Sequence, residues 1–330
     1  MRIWRFHEFG DIDRLQLDEI PTPIPAEGEA LVRVAYAALN PADRYLIKKQ
    51  YPRPGKPPMA VGRDGSGVVE NVHPNSRFQI GDRVIVLRSD IGVSRDGTLA
   101  EYVCVPEASL APLPSGWSLQ EGAAGPLVFL TAWRALVVQG GLKTGETVLI
   151  TGASGGVGTA SIILAKALGA TVVALSRGDS KRGALRALGA DYVIDSAAPD
   201  WEERTKTALN GGRVDLVVEN LGGPFLQKCV NLCAEKGRIQ IVGLLAGLTV
   251  ELVVGLIIFK QIRIEGVVVS AYSPPEAQSA WVEIVRALDK LGLRPQIDSI
   301  YKMDEIIAAF EHLAKGPLGK VLIDVNSVED

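Results

Sequence analysis

The residues of this chain whose spacing most clearly implies chemistry are the glycines of Gly152-Ala153-Ser154-Gly155-Gly156-Val157-Gly158. The apolar run Thr147 to Ile150 enters them as a strand. Val157, Ala160, Leu164, Ala167 and Leu168 leave them at helical spacing. Gly169-Ala170 stops that helix, and Thr171 to Leu175 reads as a second strand. A strand–turn–helix–strand unit of about 30 residues is the context a dinucleotide fingerprint requires. Glycines let the backbone approach a pyrophosphate, and the helix N-terminus offers unpaired N–H groups to its charge. Gly152, Ser154, Gly155, Gly156, Val157 and Gly158 are therefore candidate cofactor-binding residues, against the alternative of a purely structural turn.

The end of the second strand selects between dinucleotides. An NAD-selective site of this kind usually carries Asp or Glu there, for the ribose hydroxyls. Here the place reads Ser176-Arg177, with Lys181 and Arg182 shortly after. A carboxylate would repel a 2′-phosphate, whereas serine hydrogen-bonds to it, arginine clamps it and lysine supplies charge. Ser176, Arg177 and Lys181 favour NADPH. A solvated basic helix start is the alternative, and the nearby Asp179 weighs against the reading.

The elements that must hold these residues follow from the pattern of the whole chain. Its 330 residues allow two domains, with 47% hydrophobic and 22% charged residues, as in ordinary globular proteins. A net charge of -3 gives no case for nucleic acid or an anionic membrane. Three cysteines form no secreted framework, and Cys229 and Cys233 share an expected helix face. No signal-peptide core is visible at Met1 to Glu8, and a cytoplasmic location is expected. Residues 1 to about 120 read as short strands broken by prolines, a compact β-barrel-like module. From Glu121 to about Arg263, strands and helices alternate, as in a doubly wound parallel sheet. The helices there include Trp201 to Leu209 and Phe225 to Ala234. The fourth, fifth and sixth strands are Asp215 to Glu219, Arg238 to Gly243 and Arg263 to Val269. The apolar stretch Ile239 to Phe259 reads as two buried strands and a small-residue loop, not a membrane span. Two amphipathic helices follow, the second with Asp304 as its N-cap, and the strand Lys320 to Asp324 closes the chain.

Several motifs stand in one order: Asn40-Pro-Ala-Asp43-Arg-Tyr45 with Tyr51-Pro52, Gly62-Arg63-Asp64-Gly-Ser-Gly67, Asp96 to Tyr102, Leu130-Thr131, Ala153 to Gly158 and Gly319-Lys320. The chain resembles the medium-chain dehydrogenase/reductase superfamily over essentially its whole length, in the zinc-independent quinone oxidoreductase branch. The resemblance implies an α/β protein with a GroES-like β-barrel catalytic domain (1–121 with 266–330) and a doubly wound Rossmann nucleotide-binding domain (122–265), with the active site in the cleft between them. It also implies a homodimer through the edge of the sixth strand. Zinc alcohol dehydrogenases carry a cysteine in the segment matching Asn40 to Asp43, and a His-Glu pair where this chain has Arg63-Asp64. Their cysteine-rich lobe has no counterpart between Asp82 and Cys104. His7, His73 and His312 are scattered, and a zinc site needs converging ligands. A metal-free protein is expected.

Without a Lewis acid, reduction of a conjugated acceptor fits better than alcohol oxidation of the zinc type. A quinone or α,β-unsaturated carbonyl compound takes hydride from NADPH, and its oxygen then needs hydrogen-bond donors and a proton. Tyr51 and Tyr45 are the candidate donors, and Tyr51 occupies the place of the catalytic tyrosine of mitochondrial-type enoyl-thioester reductases. By the same resemblance Asn40 lies near nicotinamide and substrate, Thr131 opens a helix and contacts the nicotinamide end, and Lys181 matches a lysine on the 2′-phosphate. Asn220 and Gly243 stand at carboxyl ends of strands, where such sheets bind ligands. Lys320 reaches a cofactor phosphate or forms a surface ion pair. Arg63 points into the cleft or pairs with Asp64 or Asp43. The alternatives are an enoyl-thioester reductase, a zinc-independent alcohol dehydrogenase-like enzyme, or a crystallin-like NADPH binder without turnover.

Overall fold

Strands dominate the first third of the chain because β-branched and apolar residues recur there between turn residues. The computed structural model describes residues 1–88 and 90–326. In chain order the first strands are β1 (Arg2–Phe6), β2 (Leu15–Glu19), β3 (Glu29–Ala38), β4 (Asp64–Val72), β5 (Arg83–Val86), β6 (Tyr102–Pro106) and β7 (Leu110–Pro112). In β6, Val103 and Val105 are buried while Tyr102, Cys104 and Pro106 are partly exposed, the period-two pattern of a half-buried strand. Next come β8 (Thr147–Ile150), β9 (Thr171–Ser176), β10 (Tyr192–Asp195), β11 (Val214–Glu219), β12 (Cys233–Ile241) and β13 (Arg263–Gly266). The last two are β14 (Ile297–Lys302) and β15 (Lys320–Asp324).

The strands sort into two compact units. One unit comprises Met1–Leu127, Ser270–Trp281 and the described residues from Pro295 onward. Its main sheet runs β14-β15-β3-β4-β5-β7, with β6 also paired to β3, and β1 pairs with β2. β3 is its spine, antiparallel to β4, β6 and β15. Phe6, Val34, Leu46, Ile47, Val61, Leu99, Phe310 and Ile323 are among its buried core residues. The other unit comprises Val128–Val269 and Val282–Arg294. Its six strands are all parallel, in the order β10-β9-β8-β11-β12-β13. Numbered within the unit this is 3-2-1-4-5-6, the order of a doubly wound dinucleotide-binding sheet. The units divide inside the helix Pro126–Trp133, and Val282–Arg294 groups with the second unit rather than the first.

Several expected elements differ. The helix expected from Phe225 to Ala234 runs Pro224–Leu232, and Cys233 already begins β12. Cys229 and Cys233 therefore share no helix face, although both are buried thiols whose pKa burial raises. The stretch Ile239 to Phe259 is not two strands: after β12 the chain is irregular, and Val254–Lys260 is a helix. A short apolar run fits either state. Here Gln261 ends the helix in the left-handed region at φ 54°, and Lys260 Nζ donates to the carbonyls of Val230, Asn231 and Cys233. Its cation thereby satisfies the terminal carbonyls of the preceding helix. Among the described residues no helix is long and apolar enough to cross a membrane. Thr131 does not open its helix but lies near the end of Pro126–Trp133, which continues as a π-helical turn through Val138. Asp304 sits inside the 3-10 turn Met303–Glu305, and Glu305 is the N-cap of the helix Ile306–Ala314. The last strand, Lys320–Asp324, has the expected bounds.

Candidate active site

The turn after β8 is built by glycine where glycine is needed. Gly152 has φ 56°, in the left-handed region. A Cβ on Gly158 would lie 2.5 Å from the Gly152 carbonyl oxygen and 2.6 Å from the Ala153 Cα, so helix and turn meet backbone to backbone. Gly155 is different. A Cβ there would meet only the Gly152 oxygen, at 3.5 Å, so nothing in the protein itself demands its small size. It is the N-cap of the helix Gly156–Ala167, and no side chain caps that end. An uncapped 12-residue helix end with open space at its N-cap fits a pyrophosphate.

At the end of β9, Ser176 Oγ is buried with no hydrogen-bond partner among the described residues. Arg177 is exposed beside it, and Lys181 Nζ reaches Ser154 Oγ at 3.4 Å. That contact brings the second-strand loop against the glycine turn. Asp179 is ion-paired with Arg182, which draws the acidic group near this loop onto a different cation.

β8 and β11 are neighbours at the point where strand order reverses, and their ends interlock. Thr151 Oγ1 donates to Glu219 Oε1 at 2.9 Å and accepts from the Asn220 amide N–H at 2.8 Å. Glu219 also accepts from the N–H groups of Leu221 (3.0 Å) and Gly222 (2.6 Å). Burial pushes its carboxyl above the usual range, against the pull of these donors. The Asn220 side chain donates to the Thr151 carbonyl at 2.8 Å, while its Oδ1 is buried without a partner among the described residues. That orphan acceptor fits a donor group on a ligand. Gly243 packs on the Asn220 carbonyl, which a Cβ would approach to 2.2 Å. Glu219 escaped the sequence reading; an acidic residue closing the apolar run Leu216 to Val218 is its signal.

The first unit holds a separate buried charge cluster. Asp64 Oδ2 accepts from Lys320 Nζ at 3.0 Å and from Asn40 Nδ2 at 2.9 Å, and its Oδ1 accepts from the Leu127 amide N–H at 2.9 Å. Lys320 Nζ also donates to Asn40 Oδ1 at 2.6 Å. Lys320, expected either at a cofactor phosphate or in a surface ion pair, is 3% exposed, and its ion pair with Asp64 is buried. Asn40 spends its amide group inside the cluster, donating also to the Ala38 carbonyl at 3.2 Å. Asp43 reaches back to the Asn40 N–H at 2.8 Å. Burial raises its pKa to about 6, opposed by that N–H and by the charges of Arg63 and Lys320. Its Oδ1 has no partner among the described residues.

Arg63 does not form the expected pair with Asp64 or Asp43. Its Nη1 donates to Tyr51 Oη at 2.8 Å, and its guanidinium lies 5.3 Å from the centre of the Tyr51 ring. Tyr45, on the helix Pro41–Ile47, hydrogen-bonds none of these side chains, and partial burial raises its phenol pKa. Thr131 is buried in the second unit. The structure thus brings together Asn40 with Lys320, and Ser154 with Lys181, and interlocks Asn220 with Thr151 and Gly243. His7 and His312 pair with Asp18 and Asp298. Among the described residues no three His, Cys, Asp or Glu side chains are grouped to hold a metal.

Known proteins share this fold. The family model of the zinc-binding dehydrogenases matches residues 156–290, and that of the alcohol dehydrogenase GroES-like domain matches 26–115. The quinone oxidoreductase of Pongo abelii is 30% identical, across 98% of this chain and 97% of its own. The acryloyl-coenzyme A reductase of Sulfurisphaera tokodaii is 29% identical, across 93% of this chain and 96% of its own. A solved NAD-dependent alcohol dehydrogenase superposes with a TM-score of 0.90 at 29% identity, covering 99% of this chain and 100% of that one. Matched by both family models and similar to the quinone oxidoreductase across nearly all of each chain, this oxidoreductase belongs to the medium-chain dehydrogenase/reductase superfamily and to its quinone oxidoreductase branch.

Proposed function

We propose that the protein is an NADPH-dependent reductase of quinones or α,β-unsaturated carbonyl compounds that works without a metal. The observation that carries the cofactor is the end of β9. A buried Ser176 Oγ with no partner among the described residues, an exposed Arg177 and a Lys181 drawn toward the glycine turn stand where an NAD-selective site usually has a carboxylate. The NAD-dependent relative makes this a point to measure rather than to inherit. Gly155 and the uncapped helix end would hold the pyrophosphate, and Asn220 Oδ1 would accept from the cofactor. When bound, the nicotinamide supplies hydride.

The chain's own side chains would then serve the acceptor. Tyr51 is the best-placed phenol, since its hydroxyl already sits in a hydrogen bond with a cation. Asn40 and Lys320 would act by keeping their segments fixed, because their polar atoms bond each other and Asp64. An enoyl-thioester acceptor is the second reading, favoured by the acryloyl-coenzyme A reductase among the relatives. Homodimerisation through β13 is supported by its place at the end of the sheet and by exposed Ile258, Phe259 and Val268 nearby. Sedimentation of the wild-type protein tests it.

The deciding experiment is a screen of NADPH oxidation against quinones, alkenals, alkenones and enoyl thioesters. Turnover with at least one of these classes is expected. Saturable NADPH binding without turnover on any of them would point to a binding protein instead.

A further inference from the structure

Arg63 is a cation with an unusual set of partners. It is 6% exposed, its Nε has no partner among the described residues, and it forms no ion pair with the neighbouring Asp43 or Asp64. A buried charge is normally paired with an opposite one. Among the described residues its one side-chain hydrogen bond goes to Tyr51 Oη, and the Tyr51 ring lies under the guanidinium. Arginine has N–H donors and no acceptor, so the phenol oxygen must accept in this bond. The single phenolic proton therefore points away from Arg63. No other described residue hydrogen-bonds the Tyr51 hydroxyl, and the tyrosine is only partly buried, so that proton has no acceptor among the described residues and faces outward.

We infer that Arg63 is a positioning residue for the reduction: it fixes the Tyr51 oxygen as an acceptor on one side, so that the O–H donates outward to the substrate's carbonyl oxygen. This rests on the reading of the protein as a reductase of conjugated carbonyl compounds. Hydride arriving at the β-carbon breaks the C=C π bond, and the electron pair moves to the carbonyl oxygen as an enolate. The acceptor is reduced and NADPH is oxidised to NADP+. Tyr51 gives its proton to the enolate oxygen, and the Arg63 N–H stays on the phenolate left behind. Water returns the proton. A cation that only packed on the ring would not need a hydrogen bond to the hydroxyl.

The test uses p-nitrophenol as an enolate mimic, because its phenolate absorbs visible light and the neutral phenol does not. Wild-type protein with NADP+ is expected to bind it enriched in phenolate over free dye at the same pH. Arg63→Met should weaken phenolate binding about tenfold or more, the loss expected for a charge-assisted hydrogen bond. Arg63→Lys keeps a donor and should recover part of it. Tyr51→Phe combined with Arg63→Met should be no weaker than Tyr51→Phe alone. Matched thermal melts establish that each variant is folded, and Arg63→Gln replaces Arg63→Met if the latter is not. Wild-type-like binding by Arg63→Met, additive losses in the double variant, or no binding by the wild type would overturn the inference. The dye reads Arg63 and Tyr51 without turnover, so a chain that reduces no conjugated acceptor would sink the functional reading separately.

Discussion

Lys320 Nζ stands 3.0 Å from Asp64 Oδ2, with both side chains almost wholly removed from water. The last strand of the chain is thereby bonded to the first residue of β4, and through Asp64 to the amide of Leu127 at the start of a helix. Removing one member of such a pair leaves an uncompensated buried charge. Lys320→Met is expected to lower unfolding stability by about 3–5 kcal/mol, read from urea denaturation. A loss under about 1 kcal/mol would mean that the pair is solvated in solution.

The cofactor preference makes a second prediction. Arg177→Ala and Lys181→Ala should each weaken NADPH binding by about tenfold and NADH binding by less than about twofold, by fluorescence titration. Equal losses for the two cofactors would remove the 2′-phosphate from the account of these residues.

Two glycines of one turn should respond oppositely to alanine. Gly158→Ala drives a Cβ into the backbone of Gly152 and Ala153 and should destabilise the fold by about 1–3 kcal/mol. Gly155→Ala meets no such obstacle and should melt like the wild type while losing dinucleotide affinity. Parallel thermal melts and cofactor titrations separate the two effects.

Asp43 links stability to pH. Burial raises its folded pKa to about 6 from 3.8. Between these values the folded state holds the proton more tightly than the unfolded chain does. Stability from this group is thus highest below the unfolded value and falls as pH rises through the folded one. Asp43→Asn, which keeps an oxygen for the Asn40 N–H, should remove that slope. The wild type should lose roughly 2–3 kcal/mol relative to the variant between pH 4 and pH 7, measured by chemical denaturation at each pH. Parallel curves for the two proteins would mean that Asp43 titrates normally.

What the sequence revealed depended on how local the cause was. The glycine turn, β8 and β9 were legible because strand, turn and helix signals lie within a few residues of one another. Val254–Lys260 was not, since the short uncharged run Val254 to Phe259 carries no period that separates helix from strand. The four-residue spacing of Cys229 and Cys233 suits one helix face, and nothing local shows that the chain becomes β12 at Cys233. The buried cluster was the least legible part. Lys320 and Asp64 are separated by 256 positions, and only the folded sheet makes them neighbours. The partner of Arg63 is hidden for a related reason: Asp43 and Asp64 are the near carboxylates in the sequence, and only the fold brings the Tyr51 phenol to the guanidinium.

The three carbonyls gathered around Lys260 Nζ bear on how the surface answers reagents. Burial lowers the Lys260 pKa, yet the group must still lose a proton and turn away from these carbonyls before a lone pair can attack an electrophile. Lys260 should therefore be among the last lysines to accept an acyl label, even though its side chain is not fully covered. Once acylated, it would leave the end of the helix Pro224–Leu232 without its cation, so that labelling one amine loosens the C-terminus of a different helix.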